Sequence, residues 1–251
     1  MRFAALLLCL ATPAFAQPAA DIVVLGEVHD NPAAHLGQAA MIEELQPTAV
    51  VFEMLTAEQG SRADADRSLI VEAWEASGWR DYLIYAAIFD AMGTARIVGA
   101  AAPRDTVRAV YSDGAAALFG PDAPLYGLDQ PLPEAQQTAR ETLQFDAHCA
   151  AMPMEMMGSM VEIQRYRDAV FARAALEALE TYGAPVVVIA GNGHPRTDWG
   201  VPAMIGMAAP DVTVHAVGFI EFESDVPFDE THIVPPAPRD DPCAELINDK
   251  G

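Results

Sequence analysis

Short, mostly apolar segments that alternate with helical stretches constrain this chain more than any other feature of its sequence. Each segment is rich in Val and Ile and is bounded by Gly, Pro or charged residues. Strands without polar alternation are typical of a sheet that is covered on both faces. The predicted strands comprise residues 22–25, 49–52, 96–100, 186–190 and 212–219. Their alternation with helices predicts an α/β fold with a mainly parallel sheet flanked by helices.

Three helical regions are predicted between these strands. Residues 32–45 begin with Pro32, which suits the first helical position, and Asn31 is a candidate cap. Residues 79–92 carry apolar side chains at helical spacing, and residues 133–182 are long enough for one or two long helices. The last strand, 212–219, alternates apolar and polar residues more clearly than the others, which favours a place nearer to a mixed edge of the sheet.

The first sixteen residues are predicted to be a secretory signal peptide. A positive start is followed by an apolar run and by Ala14-Phe15-Ala16, so cleavage is expected before Gln17 and the mature chain is expected in the periplasm. Residues 17–251 are then predicted to form one domain, because 52% hydrophobic residues suffice for one substantial core. The acidic, Pro-rich tail 225–251 is predicted to wrap the surface or form a partly ordered strap. No later apolar run reaches membrane length, so no membrane span is expected.

The formal net charge of −22 limits the classes of partner. It repels nucleic-acid backbones and anionic membranes, so neither is predicted to bind. Removal of Cys9 with the signal peptide leaves Cys149 and Cys243, which permit one disulfide in an oxidising compartment. A free or metal-binding Cys149 is the alternative.

Acidic and imidazole side chains follow three of the predicted strands. Glu27 and His29 come after the first strand, Glu53 after the second and His194 after the fourth. Ligands of open α/β sheets usually bind at the carboxyl ends of the strands, so these groups are predicted to converge there. The set suits a divalent metal or acid–base chemistry, with a structural hydrogen-bonded ion-pair cluster as the alternative. Two carboxylates at adjacent strand ends are expected to raise each other's pKa unless a cation lies between them.

Candidate ligand-binding residues lie elsewhere in the chain as well. Arg104 follows Pro103 at a predicted helix start, where its guanidinium could pair with a carboxylate such as a porphyrin propionate. His148, Met152 and Met154 belong to a Met-rich segment whose soft ligands suit haem iron or Cu(I). The ordinary alternative for Arg104 is a solvent-facing side chain, and for the Met-rich segment it is the buried face of a helix.

Tyr166 lies between Arg165 and Arg167 in the second half of the long helical region. A phenolate there could bind ferric haem while Arg167 holds a propionate or lowers the pKa of the phenol. A half-buried tyrosine without a ligand is the alternative.

Five segments of the chain resemble the ChaN-like haem-binding proteins, relatives of the TraB, Tiki and erythromycin esterase proteins. Their letters are LGEVHDN at 25–31, VFEM at 51–54, HCAAMP at 148–153, QRYRDA at 164–169 and IAGNGH at 189–194. The resemblance implies an α/β fold, haem binding in iron uptake, tyrosine ligation and dimers that enclose paired haems. It implies a role for Glu27, His29, Glu53 and His194 by analogy with hydrolytic and metal-dependent relatives. Tyr166, Tyr126 and Tyr111 all remain candidates for the haem-binding tyrosine.

Three functional hypotheses follow. The first is a periplasmic haem-binding protein that acts as a homodimer with other haem-uptake components of the cell envelope, and His29, His194, Arg104 and Arg167 are then cofactor-binding residues. The second is a metal-dependent hydrolase that uses the Glu and His side chains at the strand ends, with Glu53 or His29 as the general base. The third is a Cu(I)-binding protein that uses His148 and the methionines.

Overall fold

A six-stranded, entirely parallel sheet forms the centre of the protein in the computed structural model, which describes residues 20–79, 81–241 and 243–244. The predicted α/β fold with a mainly parallel sheet is confirmed. The predicted mixed edge is not found, because the edge strands also pair in parallel. The strands are β1 Ile22–Glu27, β2 Ala49–Phe52, β3 Arg96–Gly99, β4 Val186–Gly191, β5 Val214–Ile220 and β6 Glu230–Ile233.

The order of the strands across the sheet is β3-β2-β4-β1-β5-β6. Strand β1 is paired with β4 on one side and β5 on the other, although both come much later in the chain. All carboxyl ends lie at one edge of the sheet, because every pair is parallel. This edge, called here the carboxyl rim, gathers the residues that follow β1, β2 and β4.

Nine α-helices cover the sheet within the described residues. They are α1 Pro32–Leu45, α2 Ala57–Ala65, α3 Ile70–Ser77, α4 Ala86–Ala91, α5 Arg104–Asp113, α6 Ala115–Phe119, α7 Glu134–Ala147, α8 Met157–Tyr182 and α9 Val201–Ala208. Helix α1 has its predicted bounds, with Pro32 in its first turn and Asn31 capping Ala33 and Ala34. The region 133–182 contains two helices, as allowed by its sequence.

The helix predicted over residues 79–92 is wrong in its first half. Helix α4 begins only at Ala86 and is preceded by a 3-10 turn, Tyr82–Ile84, that the Asp81 side chain caps by accepting from the Leu83 amide. The break turns Tyr85 inward, where it is fully buried. Its contacts at the carboxyl rim, described below, are the tertiary reason why the regular helix starts late.

Each face of the sheet carries its own apolar core. One core contains side chains of β1, β2 and β4 together with α8 and α9, including Phe171 and Ile205. The other packs the opposite sides of the same strands against the helices between residues 32 and 92, including Ile42 and Trp74. The two covered faces explain why the central strands are apolar up to their carboxyl ends.

The acidic tail contributes a strand, β6, that its sequence did not predict. Strand β6 lies at the sheet edge and pairs with β5, so β5 is the second strand from the edge. Arg239 then bonds to Asp30 and Glu221, which fastens the tail to the loop after β1. Cys243 forms a disulfide with Cys149, with the Cα atoms 5.4 Å apart. The described part of the tail is therefore fastened to the rest of the domain, and it is called here the strap.

No helix in the described part of the chain is long and apolar enough to cross a membrane. The predicted signal peptide, residues 1–16, lies outside the described residues, so its cleavage stays a prediction.

Candidate functional site

Glu27 and His29 form a pair at the carboxyl end of β1. The Nδ1 atom of His29 lies 2.9 Å from Oε1 of Glu27, as expected for side chains that point to the same side. The imidazole lies over Gly191 of β4, where a Cβ atom would be only 2.6 Å from Nε2 of His29. Glycine at this position therefore lets the ring lie against the rim. Nε2 makes no hydrogen bond to any described residue, and 36% of the side chain is exposed.

Two residues that the sequence did not single out complete the surroundings of Glu27. The Tyr85 hydroxyl lies 2.6 Å from Oε1 of Glu27. Nε2 of His35 lies 3.6 Å from Oε2, and the His35 ring stacks on Tyr85 with a centroid distance of 3.9 Å. Both His35 and Glu27 are almost completely buried.

His194 lies between two carboxylates in a second buried cluster. Its Nδ1 atom is 2.6 Å from Oδ1 of Asp168 and 3.1 Å from Nε2 of Gln164. Its Nε2 atom is 3.5 Å from Oε1 of Glu53, whose other oxygen accepts from the Gly191 amide at 2.7 Å. Both imidazole nitrogens of His194 therefore face polar groups of the protein.

The electrostatics of this cluster favour a charged pair. Burial raises the pKa of Glu53, but the charge of His194 and the hydrogen bonds outweigh it and lower that pKa to about 2. Burial lowers the pKa of His194, but Glu53 and Asp168 raise it to about 10. Burial raises the pKa of Asp168, against the opposing effects of His194 and Arg140. At neutral pH the His194 imidazole is protonated and bound, which makes it a poor general base.

The expectation that Glu27 and Glu53 raise each other's pKa is not met. Strand β4 lies between β1 and β2, so the two carboxylates are not on adjacent strands, and an imidazole faces each of them. Although burial acts to raise it, the pKa of Glu27 is lowered by hydrogen bonds and charge from His29 and His35. The pKa of His29 is raised, because the Glu27 bond and the Glu53 charge outweigh burial.

The predicted divalent metal site is not supported. Within residues 20–79, 81–241 and 243–244, no group of three or more His, Cys, Asp and Glu side chains is arranged to hold a metal ion. The physical reason is the pairing just described, because Glu27 with His29 and Glu53 with His194 satisfy one another in two separate clusters.

A cleft of about 670 Å³ opens beside Glu53 at the carboxyl rim. Arg104 and Arg167 line it from α5 and α8, together with the apolar side chains of Trp79 and Phe171. It is called here the arginine cleft. Neither arginine makes an ion pair with a described residue, whereas Arg165 on the same helix bonds to Glu162 at 2.6 Å. His29 lies next to the cleft, with its ring centroid 5.0 Å from that of Trp79.

The three candidate tyrosines do not join these clusters. Tyr166 and Tyr126 are buried in the core around Phe119, and the Tyr166 ring meets that of Phe119 edge to face at 6.2 Å. Burial raises the pKa of the Tyr166 phenol, partly offset by the charge of Arg173, so the neutral phenol is favoured. Tyr111 is 38% exposed on α5 and lines neither the arginine cleft nor the Glu and His clusters.

The Met-rich segment is also apart from the rim clusters. His148 ends α7 and its Nδ1 atom bonds to the Gln144 carbonyl at 2.7 Å. Met154 is 43% exposed and Met152 is half-buried. None of the three lines the arginine cleft.

The side chains that sequence reasoning missed are Tyr85, His35 and Asp168. Asp168 lies inside the quoted segment QRYRDA, so its place in a resemblance motif was an available signal. His35 and Tyr85 lie in apolar helical patterns, where a polar residue on the buried face is the only indication.

A parallel α/β protein with buried His–carboxylate pairs and an arginine-lined cleft at its carboxyl rim belongs to the class of ligand-binding α/β proteins. The chain is a member of the family described as haem-binding uptake, Tiki superfamily, ChaN, whose model matches residues 16–205. The resemblance drawn from the sequence motifs is confirmed.

One solved structure supports the fold. The chain is similar to ChaN of Campylobacter jejuni, described with cofacial haem binding, with 19% identity, a TM-score of 0.66 and coverage of 84% of this chain and 85% of that one. A succinoglycan biosynthesis protein aligns with 11% identity and a TM-score of 0.39 over 79% of this chain and 65% of that one, which carries no argument. No match was found among curated proteins.

Proposed function

We propose that this chain binds haem in the arginine cleft and serves haem uptake or handling. The observation that carries the proposal is the pair of guanidinium groups, Arg104 and Arg167, that line a 670 Å³ cleft without an ion-pair partner among the described residues. A haem carries two propionates and a flat apolar body. The two arginines suit the propionates, and Trp79 and Phe171 supply apolar contact for the body.

His29 is the side chain best suited to bind the iron. Its Nδ1 atom is held by Glu27, which fixes the ring and raises the basicity of the free Nε2 atom, as carboxylate partners do for metal-binding histidines. Haem iron accepts an imidazole or a phenolate as its axial ligand. Tyr166 remains the tyrosine hypothesis, but its burial against Phe119 favours the neutral phenol.

The location and assembly of the protein are part of the same proposal. An exported, periplasmic chain is supported by the signal-peptide pattern of residues 1–16 and by the Cys149–Cys243 disulfide, which suits an oxidising compartment. The homodimer and the partners in the cell envelope that the family resemblance implies are also part of the proposal.

The hydrolase and copper hypotheses receive less support. The hydrolase hypothesis assigns the general base to Glu53 or His29, but the pKa of Glu53 is lowered to about 2, which makes its carboxylate a weak base, and the predicted divalent metal lacks a ligand cluster in the described part of the chain. His148, Met152 and Met154 are not gathered around a common point by any described contact.

Titration of the mature protein with haemin tests the proposal. We expect a saturable Soret shift, with affinity reduced about tenfold or more in Arg104→Gln and in Arg167→Gln, because each loses a charge-assisted bond. Arg108→Gln is the matched control, since Arg108 lies on the same helix α5 as Arg104 with 80% of its side chain exposed. His29→Ala should change the spectrum of the complex and Tyr166→Phe should not.

Two outcomes would contradict this proposal. A spectrum no different from free haemin beside an inert acidic protein would remove haem binding. If haemin binds Arg104→Gln and Arg167→Gln with the same affinity as the Arg108→Gln control, the haem site lies elsewhere on the protein.

A further inference from the structure

A second cavity, of about 380 Å³, lies between α7, α8 and the loop after β4. It is called here the tryptophan cavity. Its volume is at the lower end of the range for small-molecule sites. It shares no lining residue with the arginine cleft. On α8, Val161 and Gln164 line the tryptophan cavity, whereas Arg167 and Phe171 line the arginine cleft. Among its lining residues are Arg140, Leu143, Val161, Arg196, Trp199 and Val226.

Two arginines line the cavity, and only one of them pairs with a carboxylate of a described residue. The Arg196 guanidinium forms two bonds of 2.8 Å to Asp198 and lies 3.6 Å from the centroid of the Trp199 ring. Arg140 lies 5.0 Å from the same centroid and is only 6% exposed. Its Nε and Nη1 atoms are buried without a hydrogen-bond partner among the described residues.

An unpaired guanidinium in such a place is energetically costly. A buried cation loses its hydration and regains the loss only through a bound counter-charge and hydrogen bonds. Burial lowers the pKa of Arg140 to about 10, against the attraction of Asp168 and Asp198, so the group is still charged at neutral pH. Neither carboxylate lies within ion-pair distance of Arg140.

The walls of the cavity restrict what can supply the missing charge. Leu143, Ala147, Val161 and Val226 present apolar atoms, and the Trp199 ring adds an aromatic surface. A small hydrated inorganic anion would leave these walls without contact. A molecule with a compact apolar body and one anionic group would contact the walls and bring a counter-charge next to the guanidinium that lines the cavity.

We propose that the tryptophan cavity is a binding site for a small organic monocarboxylate with a compact apolar body, and that Arg140 binds its carboxylate. This site is separate from the one proposed for haem and does not depend on haem binding.

Calorimetric titration of the mature chain with 2-naphthoate and with 2-naphthamide tests this site. The two probes have the same apolar body, and only the first carries a charge. We expect the carboxylate to bind at least about tenfold more tightly than the amide, since only it can form a charge-assisted bond. Arg140→Met should remove this preference and leave the affinity for the amide within about twofold. Arg108→Met removes an equal charge at an exposed position and should retain the preference.

A second variant tests the cavity without touching the buried arginine. Ala147 is an exposed residue of α7 that lines the cavity, so Ala147→Phe should preserve the fold, fill the mouth and weaken both probes. Equal binding of the carboxylate and the amide, no heat of binding up to millimolar carboxylate, or unchanged carboxylate affinity in both Arg140→Met and Ala147→Phe would overturn the proposal. Haemin titration of Arg140→Met should match the unmodified protein, which separates this test from that of the haem site.

Discussion

The Tyr85 hydroxyl lies 2.6 Å from Oε1 of Glu27, a contact between residues 58 positions apart. The carboxylate is the last residue of β1, and the tyrosine stands in the break before α4. Burial and the Glu27 charge raise the pKa of the Tyr85 phenol, so it remains a neutral donor. This bond ties a helix of one sheet face to the carboxyl rim.

Removal of that hydroxyl should destabilise the protein. We expect Tyr85→Phe to lower the free energy of unfolding by about 1–3 kcal/mol, because a buried carboxylate loses a donor. Urea unfolding followed by circular dichroism measures the change. Tyr182→Phe is the control, since Tyr182 is 40% exposed. Equal stability of the two variants would show that the bond contributes nothing.

The raised pKa of His194 predicts a loss of stability at high pH. A group whose folded pKa is about 10, above the ordinary 6.5, stabilises the fold fully below pH 6.5 and loses that contribution as the pH rises through 10. We expect the free energy of unfolding to fall across this range by roughly 2–5 kcal/mol. His194→Gln should be less stable at pH 6.5 and show a flatter profile. An unchanged slope in the variant would assign the pH dependence to other groups.

The lowered pKa of Glu53 predicts the opposite dependence at low pH. Its stabilising contribution is present above 4.5 and is lost as the pH falls through about 2. We expect Glu53→Gln to lose stability at pH 6 and to show a shallower acid transition between pH 4.5 and 2. Acid unfolding curves of the variant and of Glu58→Gln, at an exposed position of α2, provide the comparison.

Haem binding through His29 should weaken as the pH falls. A proton on Nε2 competes with iron, and the raised pKa of His29 places this competition above pH 6.5. We expect haemin affinity to decline between pH 8 and 6, by up to about tenfold for each pH unit below the pKa. His29→Ala should bind more weakly with a flatter pH profile. The same pH slope in this variant and the unmodified protein would exclude His29 as the iron ligand.

The Cys149–Cys243 disulfide should stabilise the strap. The two residues are separated by 94 positions, and the bridge removes the loop-closure entropy of the unfolded chain. We expect the double variant Cys149→Ser, Cys243→Ser to lose about 2–4 kcal/mol of unfolding free energy. Thermal unfolding with and without a reductant checks this, since the reductant should affect only the unmodified protein. Equal melting temperatures would show that Arg239 and β6 hold the strap without the bridge.

Most of the fold was predictable because the burial of a strand leaves a local pattern of apolar residues in the sequence. The central strands are covered on both faces, so they are continuously apolar up to their carboxyl ends, and that pattern can be recognised from the sequence alone. The short edge strand β6 was not predicted, because its residues are mostly exposed and include Glu, Thr and His. The break before α4 was not predicted, because the apolar residues of 79–92 keep helical spacing on both sides of the break.

The site was predictable only in part. Glu27, His29, Glu53 and His194 follow strand ends, and parallel strands bring such residues to one rim. Their partners were not evident, because His35 and Tyr85 reach Glu27 from helical regions and Asp168 reaches His194 from the middle of α8. The prediction of a shared metal ion is not supported for the described residues, because these side chains pair with one another instead.

The sequence by itself determined the α/β class, the family and the set of polar residues at the carboxyl rim, because apolar periodicity and strand-end position are properties of the chain. Only the tertiary structure decided which imidazole meets which carboxylate and that Tyr166 is part of the core. It also placed Arg104 and Arg167 in one cleft without an ion-pair partner among the described residues, and buried Arg140 beside another cavity. The physical reason is that charge pairing depends on distances of a few ångströms between residues far apart in the chain. Those distances are fixed by the strand order and by the packing of helices on the sheet.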